Sequence, residues 1–217
     1  MAKGLGCLAV VVVIVIIAVV ALGGTYNRLV GLGQGVDAQW AQVENVYQRR
    51  ADLIPNLVAT VQGAANFEKS VLIEVTNARA SVGQLQTNAK DVPNDPAAFA
   101  RFEQAQAALS GALSRLLVVV ERYPDLKANA NFQTLQAQLE GTENRIAVER
   151  MRYNERAQEY NTARLKFPTN LIANVMGFKE KAYFKAQAGA DRPPQVEFNF
   201  GSPAPSAPSV PAPASPR

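Results

Sequence analysis

The sequence contains no histidine and a single cysteine, and these two shortages exclude several classes of chemistry. Without histidine there is no Ser-His-Asp or Cys-His nucleophile system and no HExxH zinc site. Cys7 alone forms neither an intramolecular disulfide nor a multi-thiolate metal site. The GxSxG, SxxK and GxxxxGK motifs are also absent. We therefore predict a non-enzymatic protein with no catalytic residue, no metal and no cofactor.

The charges that are present do not indicate a nucleic-acid partner. The net charge is +4, but the lysines and arginines alternate with aspartates and glutamates along the chain. A nucleic-acid-binding protein usually has a basic stripe or an aromatic-basic motif, and the sequence has neither. Glu140 and Glu143 have a helical spacing that suits acid–base chemistry, yet no nucleophile or perturbing pocket accompanies them.

The amino-terminal segment has no charged residue between Gly4 and Asn27, and Leu5 to Leu22 is almost wholly apolar. Together with Gly23 and Gly24, this run is just long enough to cross a bilayer as a helix. A cleaved signal peptide is the alternative, but its apolar region is usually shorter, about 7–15 residues. We predict a transmembrane anchor over residues 1–24. Its representative apolar residues are Leu8, Val12, Val15, Val19 and Leu22.

The charges that flank the anchor favour one orientation. Lys3 and the terminal amine favour a cytoplasmic amino terminus, and Arg28, just beyond the run, weakens that bias. We predict a single-pass protein of the inner (cell) membrane with most of the chain outside the cytoplasm, in the periplasm.

Beyond the anchor, apolar residues recur at steps of three and four, which predicts helices. In the first helix, over about residues 26–66, the apolar stripe passes through Tyr47, Ala51 and Ile54. Further stripes cover 71–85, 96–120 and about 129–167, with Asp95 as a predicted N-cap, and a short helix follows Pro168. We predict an all-α fold, an elongated antiparallel bundle of about four long helices over residues 25–192.

The carboxyl-terminal residues have a different composition. Residues 193–217 are rich in proline, alanine and serine, which predicts a disordered tail. Val196, Phe198 and Phe200 alternate with polar residues and predict a short extended segment.

Several stretches together resemble one family. They are TYNRLV after the apolar run, QRRADLIPNLVATVQG at 48–63, ERYPDLKANANFQTLQAQLEGTENRIAVERMRYNERAQEYN at 121–161, and FPTNLIANVMGF at 167–178. The combination resembles the LemA family of bacterial membrane proteins over residues 25 to about 184. The resemblance implies an amino-terminal transmembrane helix, an all-helical extracytoplasmic bundle and no established catalytic activity.

A glycine cluster lies where the first helix leaves the membrane. Gly31 and Gly35 are one helical turn apart, and GLGQG lacks the GxGxxG spacing and preceding strand of a dinucleotide site. The cluster predicts either a flexible joint, which we favour, or a close approach of two helices.

The most unusual polar stretch is QRRADLIPNL, residues 48–57. Pro55 has no N–H, so the carbonyl of Ala51 needs another donor, and Arg79 or the fourth helix is expected to supply it. Arg49 and Asp52 have the spacing of an ion pair. Two interpretations stay open, a solvated face at a bend or an interhelical polar lock. The predicted interaction residues are Arg49, Arg50, Asp52, Pro55, Asn56, Arg79, Glu143, Asn144, Tyr153 and Asn154.

These features predict a membrane-anchored helical scaffold or adaptor of the bacterial cell envelope. Its expected partners are the lipid bilayer, further copies of itself and an unidentified envelope protein. An accessory regulator of a membrane protease or signalling protein is the alternative, and a carboxylate-dependent hydrolase is less favoured.

Overall fold

A computed structural model describes residues 2–63, 67–86 and 89–185, without the side chains of 2–11, 14, 15, 18, 21, 86 and 89–91. The described part is all-α, as predicted. Its elements are α1 (Ala2–Gln62), α2 (Lys69–Gln86), a 3₁₀ helix (Ala89–Asn94), α3 (Pro96–Val120), α4 (Pro124–Lys127), α5 (Ala130–Leu165) and α6 (Thr169–Val175). After α6, the described chain ends in residues 178–185, which have no regular secondary structure.

The helices pack as a bundle in which the main neighbours are antiparallel. Along α1 and α5, Gln39 donates to Glu149 and Arg50 to Glu143, so the residue numbers run in opposite directions. On the exposed side of α2 and α3, Glu74 pairs with Arg115 at 2.8 Å. The next pair, Glu68 just before α2 and Arg122 just after α3, confirms the same antiparallel direction.

Local capping explains where two of the long helices begin. The predicted N-cap Asp95 accepts a hydrogen bond from the backbone of Ala97 at 2.8 Å, with Pro96 in the first turn. Asn129 caps α5 in the same way, accepting from the backbone N–H groups of residues 131 and 132. Each cap satisfies donors that the first turn of a helix leaves without partners.

α1 is longer than the sequence pattern predicts and has no break. Its 61 residues pass through both the glycine cluster and Pro55 without a change of secondary structure. A Cβ added at Gly31 or Gly35 would meet no atom within 4 Å, so no other described helix of this chain approaches closely at these two positions. Only Gly33 in this cluster faces a neighbour, with Tyr160 3.6 Å from the added Cβ. The flexible joint stays untested, since the backbone here is regular helix.

The bundle interior follows a heptad pattern. On α1 one series is Leu29, Val36, Val43, Arg50 and Leu57, and on α5 another is Phe132, Leu139, Ile146, Tyr153 and Tyr160; all are buried. Such seven-residue spacing keeps one seam of a helix facing its neighbours. The buried apolar residues form two separate clusters, one containing Ile54 and Leu57 and the other containing Trp40 and Tyr47.

The predicted anchor falls mostly on side chains that lie outside the described set, Leu8 and Val15 among them. Where its side chains are described, Val12, Val19 and Leu22 are exposed. Within the part of the chain that the structure describes, none of the helices combines the length and the apolar character that a membrane span requires. The extended segment predicted around Val196 and the tail over 193–217 also lie outside the described residues.

Candidate functional site

The centre of the polar stretch is Arg50, which the sequence analysis places off the apolar stripe. That placement is wrong, because Arg50 is only 1% exposed and is the largest side chain buried to this degree. The heptad series of α1 explains the error. Spacing from Val43 by seven reaches Arg50, whereas the sequence-based stripe passed through Ala51 next to it. A strict seven-residue count would have identified the buried arginine.

Arg50 joins three helices through its guanidinium group. Its Nη1 donates to Glu143 Oε1 on α5 at 2.7 Å and to Ser110 Oγ on α3 at 2.9 Å. Its Nη2 donates to the side-chain oxygen of Gln106 and contacts the Gln106 carbonyl. The guanidinium carbon also lies 5.1 Å from the ring centroid of Tyr47. Glu143, one of the predicted interaction residues, is therefore the acidic partner of Arg50.

This polar layer lies between the two apolar clusters. On α1 Arg50 stands between Tyr47 and Ile54, and on α3 Gln106 stands between Phe102 and Leu109. A polar residue at a single layer of a heptad core fixes the register of the helices at some cost in stability. The packing thus supports the interhelical polar lock over the solvated face.

A second contact on the next residue of α1 connects α2. The Nε of Arg79 donates to the carbonyl of Ala51 at 3.0 Å, and Ala51 is buried. This is the donor that the sequence predicts, since Pro55 cannot supply its own N–H to that carbonyl. Residues 50 and 51 therefore tie α1 to three other helices.

We expect a double-mutant cycle to show that Pro55 and Arg79 are coupled. Arg79→Ala leaves the Ala51 carbonyl without its donor and should lower the free energy of unfolding by about 1–3 kcal/mol. In a Pro55→Ala background the new N–H reaches the same carbonyl, so the loss should shrink to about half or less. Urea denaturation of the four proteins measures the coupling. Equal losses in both backgrounds would contradict a shared carbonyl.

Four predicted interaction residues do not join the buried layer. Arg49, Asp52, Asn56 and Asn144 are exposed. The predicted pair of Arg49 with Asp52 is not formed; Asp52 instead accepts from Gln48 Nε2 at 2.7 Å. Pro55 is itself exposed and acts only through the backbone. Two adjacent residues of a helix point in different directions, so only one of the two arginines can face the interior of the bundle. The heptad spacing places Arg50 there.

The other two predicted residues, Tyr153 and Asn154, belong to a second contact that the sequence analysis misses. The Nδ2 of Asn154 donates to the Phe184 carbonyl and its Oδ1 accepts from the Phe184 N–H, both at 2.9 Å. Asn161 makes the same paired bonds with the backbone of Lys181. The hydroxyls of Tyr153 and Tyr160 donate to the carbonyls of residues 182 and 179. We call these two Tyr-Asn pairs the Tyr-Asn clamp.

The clamp is possible because the spacing of its two asparagines along α5 matches the spacing of their two partner residues along the extended chain. Asn154 and Asn161 are seven residues apart, about 10.5 Å along a helix at 1.5 Å per residue. Phe184 and Lys181 are three residues apart, about 10 Å along an extended chain at 3.3 Å per residue. An extended chain running antiparallel to α5 therefore presents a backbone group to each asparagine. The repeated YN pair in the sequence is the signal that could have identified the clamp.

Side chains of the clamped segment also pack against the bundle. Phe184 is buried against Trp40, Phe99 and Tyr153, and the Lys181 ammonium pairs with Asp37 of α1 at 2.6 Å. Burial raises the pKa of Tyr153 and, to a smaller extent, that of Tyr160, above about 10. Both hydroxyls therefore stay protonated and keep donating at neutral pH.

The chemistry of these contacts is structural. Arg50, Arg79 and both asparagines direct their polar atoms at groups of the same chain. Among the residues that the structure describes, no group of three His, Cys, Asp or Glu side chains could hold a metal ion. An open cavity of about 420 Å³ lies beside the clamp, lined in part by Gly33, Asp37 and Lys181, and the last two already pair with each other.

Comparisons with known proteins agree with the resemblance seen in the sequence. The model of the LemA family matches residues 39–198, which include the polar layer and the Tyr-Asn clamp. Magnetosome protein MamQ of Magnetospirillum gryphiswaldense is 28% identical over 189 residues, covering 79% of this chain and 70% of that protein. Magnetosome proteins MamQ 1 and MamQ 2 of Paramagnetospirillum magneticum are each 29% identical over 183 residues, covering 77% of this chain and 67% of theirs.

Proposed function

The chain belongs to the LemA family, and from that membership and the course of α1 we propose that it is a membrane-anchored, non-enzymatic helical scaffold or adaptor of the cell envelope. The anchor over residues 1–24 places the bundle at the membrane surface, and the bundle assembles with further copies of itself and with another envelope protein.

The observation that carries the proposal is the change of surface along one continuous helix. From Val12 to Leu22 the described large apolar side chains of α1 are exposed, whereas from Leu29 to Val61 its apolar stripe is buried in the bundle. Exposed apolar surface of this kind indicates an apolar partner. A helix with one end suited to lipid and the other built into a protein core supports an anchor that is continuous with the bundle.

The inner polar groups favour a scaffold over an enzyme. Among the described residues, the hydrogen bonds of Arg50 and of the Tyr-Asn clamp go to groups of the bundle itself, so their removal would unfold or loosen the bundle instead of stopping a reaction. Binding to other proteins then has to use the outer surface. Ile73 on α2 and Met151 on α5 are exposed apolar residues there.

We expect the full-length protein to stay in the membrane pellet after carbonate washing and to be multimeric in nanodiscs. Tethering raises the effective concentration of neighbouring bundles, so weak contacts suffice for assembly. The matched control is a fragment over residues 25–192, which keeps the apolar stripes and should be released by the wash and mostly monomeric. Light scattering measures the mass of both.

Two results would contradict the proposal in different ways. Recovery of full-length protein in the carbonate supernatant would contradict the proposed anchor. A pelleted protein that is monomeric in nanodiscs at every concentration would agree with the anchor but contradict self-assembly. That result would favour the alternative, a regulator of a single membrane protease or signalling partner.

A further inference from the structure

Helix α6 buries a small side chain fully, has Ile172 half-buried, and exposes two of its large apolar side chains. Ala173 is buried in the cluster that contains Leu29, while Leu171 and Val175, on either side of it, are exposed. An amphipathic helix in a finished core has the opposite arrangement, with its large apolar residues buried. Val175 is 85% exposed and therefore adds almost nothing to the stability of the bundle.

The residues around α6 extend this surface into a patch. Phe167 is 81% exposed, and Leu165 and Met176 are also mostly exposed. We call Leu165, Phe167, Leu171, Val175 and Met176 the apolar tip. Single exposed apolar residues are normal on a protein, but five large ones within twelve positions of the chain form a cluster that requires an explanation.

The apolar tip lies at the end of the bundle where α1 leaves it. The ring of Phe178, just after α6, packs against Tyr26 with centroids 5.7 Å apart, and α6 packs on α1, with Ala173 and Leu29 in the same buried cluster. Tyr26 and Leu29 follow Gly24 by about 3 and 8 Å at the helical rise of 1.5 Å per residue. The polar interfacial layer on each side of a bilayer is about 5–8 Å thick. α6 is therefore at the height of that layer when residues 1–24 span the bilayer.

The positive charge near the apolar tip also suits the membrane surface. Between Leu165 and Lys179 the sequence has two lysines, Lys166 and Lys179, and no acidic residue. Both lysines are exposed, and exposed Arg28 on α1 adds a third positive charge close by. Apolar side chains flanked by lysines are typical of protein segments that lie in the interface of an anionic membrane.

We propose that the apolar tip inserts into the interfacial layer of the membrane as a second lipid contact, beside the anchor. This contact rests on the proposed anchor, because only an anchored α1 brings the tip to the bilayer. It holds the bundle against the membrane on one side of α1. The partner is the lipid bilayer, and the favoured lipids are anionic because of Lys166, Lys179 and Arg28.

The test uses the full chain in nanodiscs of phosphatidylcholine and phosphatidylglycerol, with an environment-sensitive NBD probe on one cysteine. Val175→Cys reports on the tip, and Ile16→Cys reports on the anchor, each in a Cys7→Ser background. Val118→Cys is the matched control, an exposed valine on α3. It lies roughly 50 Å beyond Gly24, counting along α1 to Trp40 and from its neighbour Phe99 along α3 at 1.5 Å per residue.

We expect the probes at positions 175 and 16 to shift to the blue and to lose emission when the lipids carry brominated acyl chains, and the probe at 118 to do neither. A quenched probe at 16 with an unshifted probe at 175 would overturn the tip contact and leave the anchor intact. A blue-shifted but unquenched probe at 175 would also overturn it, because a second protein surface would then cover the tip. An unquenched probe at 16 would overturn the anchor and the tip contact together.

Discussion

Replacing Arg50 by alanine should lower the free energy of unfolding by about 3–5 kcal/mol, the loss typical of breaking a buried charged network. The substitution removes the bonds to Glu143, Ser110 and Gln106 and leaves a cavity where α1, α3 and α5 meet. Gln106 suffers most, because it is buried and loses the partner of its side-chain oxygen. Glu143 is half-exposed and regains water.

The double variant Arg50→Met, Gln106→Leu separates the role of the charge from that of the volume. Within the described residues, the Arg50 Nε and the Gln106 Nε2 are buried without a hydrogen-bond partner, so the polar layer is incompletely satisfied. Apolar side chains of similar size should therefore restore most of the lost stability, since such exchanges are often neutral or stabilising. Urea denaturation followed by circular dichroism measures all three proteins.

An Arg50→Ala variant with the same free energy of unfolding as the parent would show that water can replace the contacts of the polar layer without loss of stability. A double variant as unstable as Arg50→Ala would show instead that the charge itself stabilises the bundle. Either result would count against a layer whose main role is to fix helix register.

Replacing Asn161 by alanine should release the extended segment and lower the free energy of unfolding by about 2–4 kcal/mol. The side chain makes two bonds to the backbone of Lys181, and both partners are buried. Each buried backbone group left without a partner costs about 1–3 kcal/mol, and part of that cost returns when the segment moves into water. Phe184 then loses its place in the aromatic cluster.

Limited trypsin digestion detects the release, because Lys179, Lys181 and Lys185 lie in the segment. We expect cleavage there to become several-fold faster in the Asn161→Ala variant, in line with the equilibrium between closed and open forms. Asn144→Ala on the same helix is the control. Asn144 is exposed, and its replacement should change stability by less than about 0.5 kcal/mol. Unchanged cleavage in both variants would mean that side-chain packing alone holds the segment.

Much of the fold follows from local rules that the sequence displays. Apolar spacing located the helices, Asp95 marked the start of α3, and the missing N–H of Pro55 predicted a donor for Ala51. Arg79 supplies that donor. In each case one residue type creates a specific need, and the geometry of a helix limits what can meet it.

The contacts that were not predicted each involve a partner whose position or residue type gives no signal in the sequence. Arg50 was misplaced because charged residues are usually exposed, and only the positions of α3 and α5 show what compensates it. The Tyr-Asn clamp was missed because its partner is backbone, which every sequence has. The repeated Tyr-Asn pair identifies the helix that holds a segment, but no side chain of residues 178–185 identifies the segment held.

The unbroken course of α1 gives the protein a lever arm. Arg50 lies 26 residues beyond Gly24, which is about 39 Å along the helix at 1.5 Å per residue. Transmembrane helices tilt by about 20° on average, and a tilt of that size in the anchor would swing the level of Arg50 sideways by roughly 13 Å. Under the proposed anchor and self-assembly, a thinner bilayer would favour a larger tilt and so change how far each bundle reaches towards its neighbours.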